Sequence, residues 1–173
     1  MDKILETKRM FLREMTDDDF LALSKVISHH DGTPYEDEYV RRWIDWCKNS
    51  YQKHHFGHWA VVLKETGEMI GSCGVSMQII DDEWKPEIGY HIRKDYHHQG
   101  LGKEIALAIR DYYFSNYDSP EVYSYMDEDN VASYKTAESI GMKFLHLYTG
   151  KDGSIYRVYR ITREEWKNIF QKR

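Results

Sequence analysis

The segment Glu87-Ile88-Gly89-Tyr90-His91-Ile92-Arg93-Lys94-Asp95-Tyr96-His97-His98-Gln99-Gly100-Leu101-Gly102-Lys103-Glu104 holds the residue types best suited to chemistry in this chain. It opens as a strand, passes through a polar loop with two glycines, and enters a helix carrying Ile105, Leu107, Ala108, Tyr112 and Phe114. The glycines permit tight turns, and the first amides of the helix point back at the loop without intrahelical partners. Free amides and the helix dipole both favour negative charge, so a phosphate-bearing ligand suits this place, with Lys103 adding a full positive charge. Taken alone, Gly-x-Gly between a strand and a helix is explained equally well by turn geometry.

Other polar and aromatic groups read as structural first. His54 and His58 have the four-residue spacing of metal ligands on a helix, but Gly57 lies between them and a strand follows. No metal is expected there. Trp43, Trp46, Trp59 and Tyr39 could wall an acceptor pocket, yet their spacing on a helix and a strand favours packing. Asp81-Asp82-Glu83 could attract a cation, but an acidic turn is ordinarily solvated. Cys47 and Cys73 are too few for a disulfide framework and read as reduced thiols, in keeping with a cytoplasmic protein.

The elements that must position these residues fit one domain spanning 1–173, long enough to bury a core. Hydrophobic residues at 41% and charged residues at 31% are ordinary for a soluble globular chain. A net charge of -5 argues against nucleic acid as the main ligand and is compatible with a cationic amine. No apolar run approaches membrane-spanning length, and the charged N-terminus lacks a signal-peptide core, so no membrane partner is expected. Met10 to Glu14 alternates like a strand, and Thr16-Asp17-Asp18-Asp19 caps a helix whose apolar face is Phe20, Leu21, Leu23, Val26 and Ile27. After a breaker at His30-Asp31-Gly32, Tyr39, Val40, Trp43, Ile44 and Cys47 predict a second helix. Trp59–Leu63 and Met69–Ile80 read as a hairpin, followed by an acidic turn over Asp81–Lys85 and a strand opening at Pro86 and running through Ile92. Beyond the loop come a strand over Val122–Met126, a helix over Val131–Ile140, and a hairpin of Phe144–Tyr148 with Ile155–Ile161 around Gly150-Lys151-Asp152-Gly153. Thr162-Arg163-Glu164-Glu165 is a capping box for a short final helix. This order is that of an α+β fold.

The loop resembles the phosphate-binding motif of the GNAT N-acetyltransferase superfamily, (Gln/Arg)-x-x-Gly-x-(Gly/Ala). Gly100 and Gly102 match the small positions, and His97 departs from the usual Gln or Arg. Three more segments extend the likeness over nearly the whole chain. Thr7-Lys8-Arg9-Met10-Phe11-Leu12-Arg13 with Thr16-Asp17-Asp18-Asp19 looks like the opening of the branch that acetylates ribosomal-protein N-termini. Glu68-Met69-Ile70-Gly71-Ser72-Cys73-Gly74 looks like its central strand, and Asp129-Asn130-Val131-Ala132-Ser133 through Glu138-Ser139-Ile140-Gly141-Met142-Lys143-Phe144 like its coenzyme-flanking helix.

The resemblance implies a mixed, mostly antiparallel central sheet flanked by helices and splayed at the coenzyme-binding strand. It implies acetyl-CoA as co-substrate and no metal. Backbone groups of Tyr90, His91 and Ile92 would pair with the pantetheine arm, and the loop of His97, His98, Gln99, Gly100, Leu101, Gly102 and Lys103 would hold the phosphates. Asn130 and Ser133 would complete the coenzyme contacts, with helix capping as the plain alternative for Asn130. The acceptor amine must be neutral to attack, which at pH 7 costs roughly 4 kcal/mol for an alkylamine but only about 1 kcal/mol for a protein N-terminus. Glu87 is the candidate base, against the alternative of an exposed or ion-paired strand residue. Many members carry a Tyr proton donor seven residues after the Asn; that position is Ala137 here, so Tyr134 is the candidate acid toward the leaving thiolate.

The expected function is therefore transfer of an acetyl group to an amine by direct attack in a ternary complex. The acceptor could be a protein N-terminus, a polyamine, an aminoglycoside-like amine or an amino-sugar, and exposed strands in this family pair into dimers. A non-catalytic acetyl-CoA sensor is the alternative that Ala137 keeps open, and a protein-interaction domain without coenzyme is a third.

Overall fold

The computed structural model describes residues 2–28, 32–151 and 153–171, so His30-Asp31 of the expected breaker and Asp152 of the last turn lie outside the described residues. The strands are β1 (Leu5–Glu6), β2 (Met10–Arg13), β3 (His58–Leu63), β4 (Met69–Ile80), β5 (Glu83–Ile92), β6 (Glu121–Asp127), β7 (Lys143–Thr149) and β8 (Ile155–Thr162). The helices are α1 (Phe20–Val26), α2 (Asp37–His54), α3 (Leu101–Asn116), α4 (Val131–Ser139) and α5 (Arg163–Phe170). The strands form one sheet in the order β1-β2-β3-β4-β5-β6-β8-β7, antiparallel everywhere except between β5 and β6. This is the expected α+β architecture, a mixed, mostly antiparallel sheet flanked by helices.

Period-two alternation sends residues of the central strands to two cores. Trp59, Val61, Cys73, Val75 and Ile88 pack against Ile105 and Ile109 of α3. On the other face Ala60 and Met69 meet Leu23 of α1 and Val40, Ile44 and Cys47 of α2. Local chemistry ends these elements as the sequence suggests. Thr16 and Asp19 form a capping box before α1, and Thr162 and Glu165 form another before α5.

The β4–β5 connection differs from its reading. Asp81 and Asp82 take φ of 55° and 60°, a two-residue left-handed turn, and β5 begins at Glu83 rather than Pro86. Aspartate tolerates this conformation better than most residues, which is why the charged run hides a tight hairpin. Pro86 sits inside the strand, opposite Met77.

The pairing of β5 is unequal on its two sides. Its ladder with β4 runs through ten residue pairs, from Ile80 opposite Glu83 to Gly71 opposite Ile92. With β6 it shares a single register point, Glu87 with Tyr123. Just past it the Ser124 hydroxyl donates to the Ile88 carbonyl at 3.0 Å, in place of a backbone donor. From there the two strands part, and the opening leads to the start of α3.

The far wall of the opening is α4, tied to α3 by one buried cation. The Arg110 guanidinium is fully buried, donating to the Ile140 carbonyl beyond the end of α4 and to Asp111 Oδ1 at 2.6 Å. Asp111 Oδ1 also accepts from Trp166 Nε1 of α5 at 2.9 Å. Arg110→Met strips this partner from a half-shielded carboxylate and a carbonyl. It is expected to lower stability by about 3–5 kcal/mol, read as a fall in the urea midpoint at unchanged m-value.

Candidate active site

The loop between β5 and α3 is braced at each end by side chains from elsewhere. Arg93 Nη1 meets Glu68 Oε1 at 2.5 Å and its Nε meets Asp95 Oδ1 at 2.7 Å, while the Tyr96 hydroxyl donates to Glu68 Oε2 at 2.9 Å. His97, at the position where Gln or Arg is usual, hydrogen bonds through Nε2 to the Ile92 carbonyl at 2.7 Å, so it ties the loop back to the strand it leaves. Arg9 reaches in from β2's start, donating from Nη1 to the Gln99 carbonyl at 2.9 Å. Its own Nε is held by Glu104 Oε2 at 2.7 Å.

Within the loop, φ is positive at His98 (59°) and Gly100 (75°), left-handed positions of the kind from which anion-binding nests are built. A side chain built on Gly102 would meet nothing within 4 Å, so space lies open at the helix start. Lys103 is exposed beside it. These residues fit a phosphate-bearing group.

On the α3 and α4 side of the opening the expected contacts come together. The Tyr90 hydroxyl donates to the Ser133 carbonyl at 2.7 Å, and Ser133 Oγ lies 3.4 Å from that hydroxyl. Asn130 Oδ1 accepts from the Ser133 amide at 3.1 Å, so its side chain caps α4. Tyr134 follows Ser133, with its ring packed on the core beneath the Arg157 guanidinium, 5.0 Å from it. Ala137 is fully buried.

The opposite face of β5 carries a second set of groups. Tyr90 and Ile92 face α3, whereas Glu87, Gly89 and His91 face α2, so the expected run Tyr90–Ile92 divides by side chain. Glu87 is 6% exposed and accepts from the Tyr125 backbone amide and the Ser76 hydroxyl. Burial pushes its pKa up from 4.5 to about 8, against the opposing pull of those hydrogen bonds. A Cβ on Gly89 would fall 2.6 Å from His58 Cε1 and 3.2 Å from Glu87 Oε2, so only glycine lets the imidazole and the carboxyl converge. His58 is 3% exposed, and burial, helped by His91, lowers its pKa to about 3, leaving a neutral ring.

The doubt about a shared helix for His54 and His58 holds: α2 ends at His54 and β3 begins at His58, with Gly57 in the break between them. The aromatic residues divide as well. Trp59 is core, at 3% exposure, while Trp43 and Trp46 lean on His58 with ring centroids 5.8 and 5.5 Å away. The two strand glycines opposite each other, Gly74 and Gly89, are the signal that could have pointed to a close approach here.

The family model described as an acetyltransferase (GNAT) domain matches residues 9–143. A Bacillus subtilis protein of uncharacterised function, YkkB, is 30% identical over 147 residues, covering 81% of this chain and 85% of its own. The uncharacterised N-acetyltransferase YoaA of the same species is 27% identical over 175 residues, covering 94% and 98%. The Salmonella typhimurium acetyltransferase described as modifying the N-terminal serine of ribosomal protein L7/L12 superposes with a TM-score of 0.75 at 16% identity, covering 93% of this chain and 99% of its own.

The raised pKa of Glu87 has a consequence for stability. Between pH 4.5 and about 8 the folded chain holds a proton that the unfolded chain releases, so this residue makes stability fall as pH rises through that window. Glu87→Gln is expected to remove that fall. The variant should gain on the order of a few kcal/mol over the parent at pH 8 and little at pH 4, measured as urea midpoints across pH.

Proposed function

The chain belongs to the GNAT acetyltransferase family, and from that premise we propose that it is an acetyl-CoA-dependent N-acetyltransferase acting on a primary amine by direct attack in a ternary complex. The observation that carries this reading is the opening between β5 and β6, which has an anion nest at its far end and a buried carboxyl at its last bridge.

Acetyl-CoA supplies an activated acetyl thioester. Backbone amides from His98 to Lys103 hold phosphate oxygens, with the Lys103 charge beside them. The free edge of β5 at Tyr90, His91 and Ile92 offers main-chain groups for an extended ligand to pair with. Asn130 and Ser133 flank the same opening, Ser133 through its hydroxyl and Asn130 through the amide nitrogen that its cap leaves unused. Tyr90, Ser133 and Tyr134 supply hydroxyls toward the departing sulfur, and the Tyr90 hydroxyl is the one held between β5 and α4. Burial pushes that phenol's pKa up, so it stays a proton donor throughout the neutral range.

Glu87 acts as the base. In its ionised form it accepts the proton that the amine nitrogen loses as its bond to the acetyl carbon forms. Its pKa of about 8 is close to working pH, where a general base is most effective. The acceptor classes compatible with this arrangement include a protein N-terminus, the acceptor described for the Salmonella structural relative, as well as small amines.

Two measurements test the reading. Acetyl-CoA and free CoA at 100 times their dissociation constants should each stabilise the chain by about 2.7 kcal/mol, a rise in Tm of roughly 5–10 °C, while ATP should not. Absence of any shift at saturating coenzyme would sink the proposal. The rate with an amine acceptor should climb with pH to a plateau above about 8. Glu87→Gln should flatten that limb and lower kcat/KM by roughly a hundredfold or more; an unchanged profile would remove Glu87 from the role of base.

A further inference from the structure

The first turn of α3, where phosphates would be held, carries a carboxylate. Glu104 lies there, and its amide donates to the Gly100 carbonyl at 3.1 Å. Both of its carboxylate oxygens are turned toward the segment joining β1 to β2. Oε1 accepts from the Thr7 hydroxyl at 2.6 Å and from the Arg9 amide at 2.9 Å, and Oε2 accepts from Arg9 Nε at 2.7 Å. Burial works against ionisation of this carboxyl, but the bonds from Thr7 and Arg9 outweigh it and hold its pKa below the usual glutamate value. Glu104 is therefore an anion at neutral pH whose charge is met by Arg9. The same bonds aim the Arg9 guanidinium at the loop.

One peptide of the loop depends on that guanidinium. Arg9 Nη1 donates to the Gln99 carbonyl at 2.9 Å, and Nη2 lies 3.7 Å from where a Cβ on Gly100 would stand. Among the described residues the Gln99 carbonyl has no other hydrogen-bond partner. The Gln99–Gly100 peptide is also easy to turn. Half a turn changes ψ of Gln99 and φ of Gly100, and glycine has no side chain to oppose it. In a trans peptide the carbonyl and the amide point to opposite sides. Drawing the Gln99 carbonyl to Arg9 therefore sends the Gly100 amide away from it. Turned the other way, the same peptide would show a phosphate the negative end of its dipole in place of a donor.

We propose that Arg9 is a positioning residue for the coenzyme: paired with Glu104, it locks the Gln99–Gly100 peptide so that the Gly100 amide serves a phosphate oxygen of the pyrophosphate. Arg9 acts through the loop and does not touch the ligand. This rests on the acetyl-CoA reading above and adds to the site a residue 90 positions ahead of the carbonyl it holds. The Arg9 and Glu104 side chains are 40% and 20% exposed, so as an ion pair they add little to the stability of the fold. The site uses their geometry. A guanidinium fork holds a carboxylate through Nε and a carbonyl through Nη1 at once, which an ammonium on a flexible stem does not reproduce.

The test is titration calorimetry with CoA and 3′-dephospho-CoA, which share the pyrophosphate and differ in the ribose phosphate. Arg9→Met should raise the Kd of both about tenfold, the worth of one hydrogen bond to a charged group. KM for acetyl-CoA should rise alike, while kcat, the KM of the amine and the Tm without coenzyme stay close to the parent's. Arg9→Lys keeps the charge but not the fork, and should recover little of the lost affinity. A loss seen with CoA and not with 3′-dephospho-CoA would mean that Arg9 meets the ribose phosphate itself, and would overturn the proposal. Unchanged affinity in Arg9→Met would overturn it too. Should Arg9→Met unfold or lower Tm, Arg9→Lys decides: a Lys variant that binds both ligands as the parent does shows that charge alone suffices and removes the positioning role. A parent chain that binds neither ligand ends the acetyltransferase reading and this role with it, whereas a parent and variants that all bind alike end only the role of Arg9.

Discussion

The structure depends on one incomplete pairing. A buried strand normally satisfies its backbone on both sides, because an unpaired buried amide or carbonyl is costly. Here β5 is fully paired to β4 but meets β6 at one register point. The groups nearest the parting are satisfied by side chains instead, the Ile88 carbonyl by Ser124 and the Tyr125 amide by Glu87. Beyond that point the edge of β5 is free to pair with something that is not a strand of this sheet. A sheet that failed to close without such braces would slip or fill. The site exists because these side chains stop the parting at a fixed place.

The remaining supports hold the two lips of that opening. Arg93 with Glu68 and Asp95 fixes the exit from β5, and Arg9 with Glu104 ties the loop to the N-terminal strands. Arg110 fixes the end of α4 from inside the core. Several of these links join residues far apart in sequence, as with Arg9 and Glu104 or Arg110 and Ile140. The loop's shape is therefore set by the assembled fold and not by its own glycines alone. Alternation along β5 then gives the opening two chemistries. Tyr90 looks toward α4 with its hydroxyl, while Glu87 and His91 look toward the indoles of α2.

How much of this was legible in the sequence follows from which contacts are local. The glycine turn before α3, the capped helices and β4 were legible, because glycine placement, Thr-x-x-(Asp/Glu) caps and alternation act within a few residues. The candidate residues Tyr90, Ser133 and Asn130 could be named from family likeness, and the structure brings them within contact of one another. The start of β5 was not legible, because the left-handed pair Asp81-Asp82 reads as a solvated acidic run. The meeting of His58, His91 and Trp43 was not legible at all. It depends on the register of β3 with β4 and of β4 with β5, and on where α2 crosses the sheet. None of these leaves a mark in local spacing.

One physical cause, burial, pushes the titratable groups of the β5 face toward α2 to the same end state. It raises the carboxyl of Glu87 and lowers the imidazoles of His58 and His91, so each favours its neutral form near pH 7. The face beside the opening is therefore almost uncharged even though the whole chain carries -5. At a face of this kind charge does little to select a ligand, and selection by hydrogen bonds and shape rejects a ligand most strongly when it leaves buried donors unmatched.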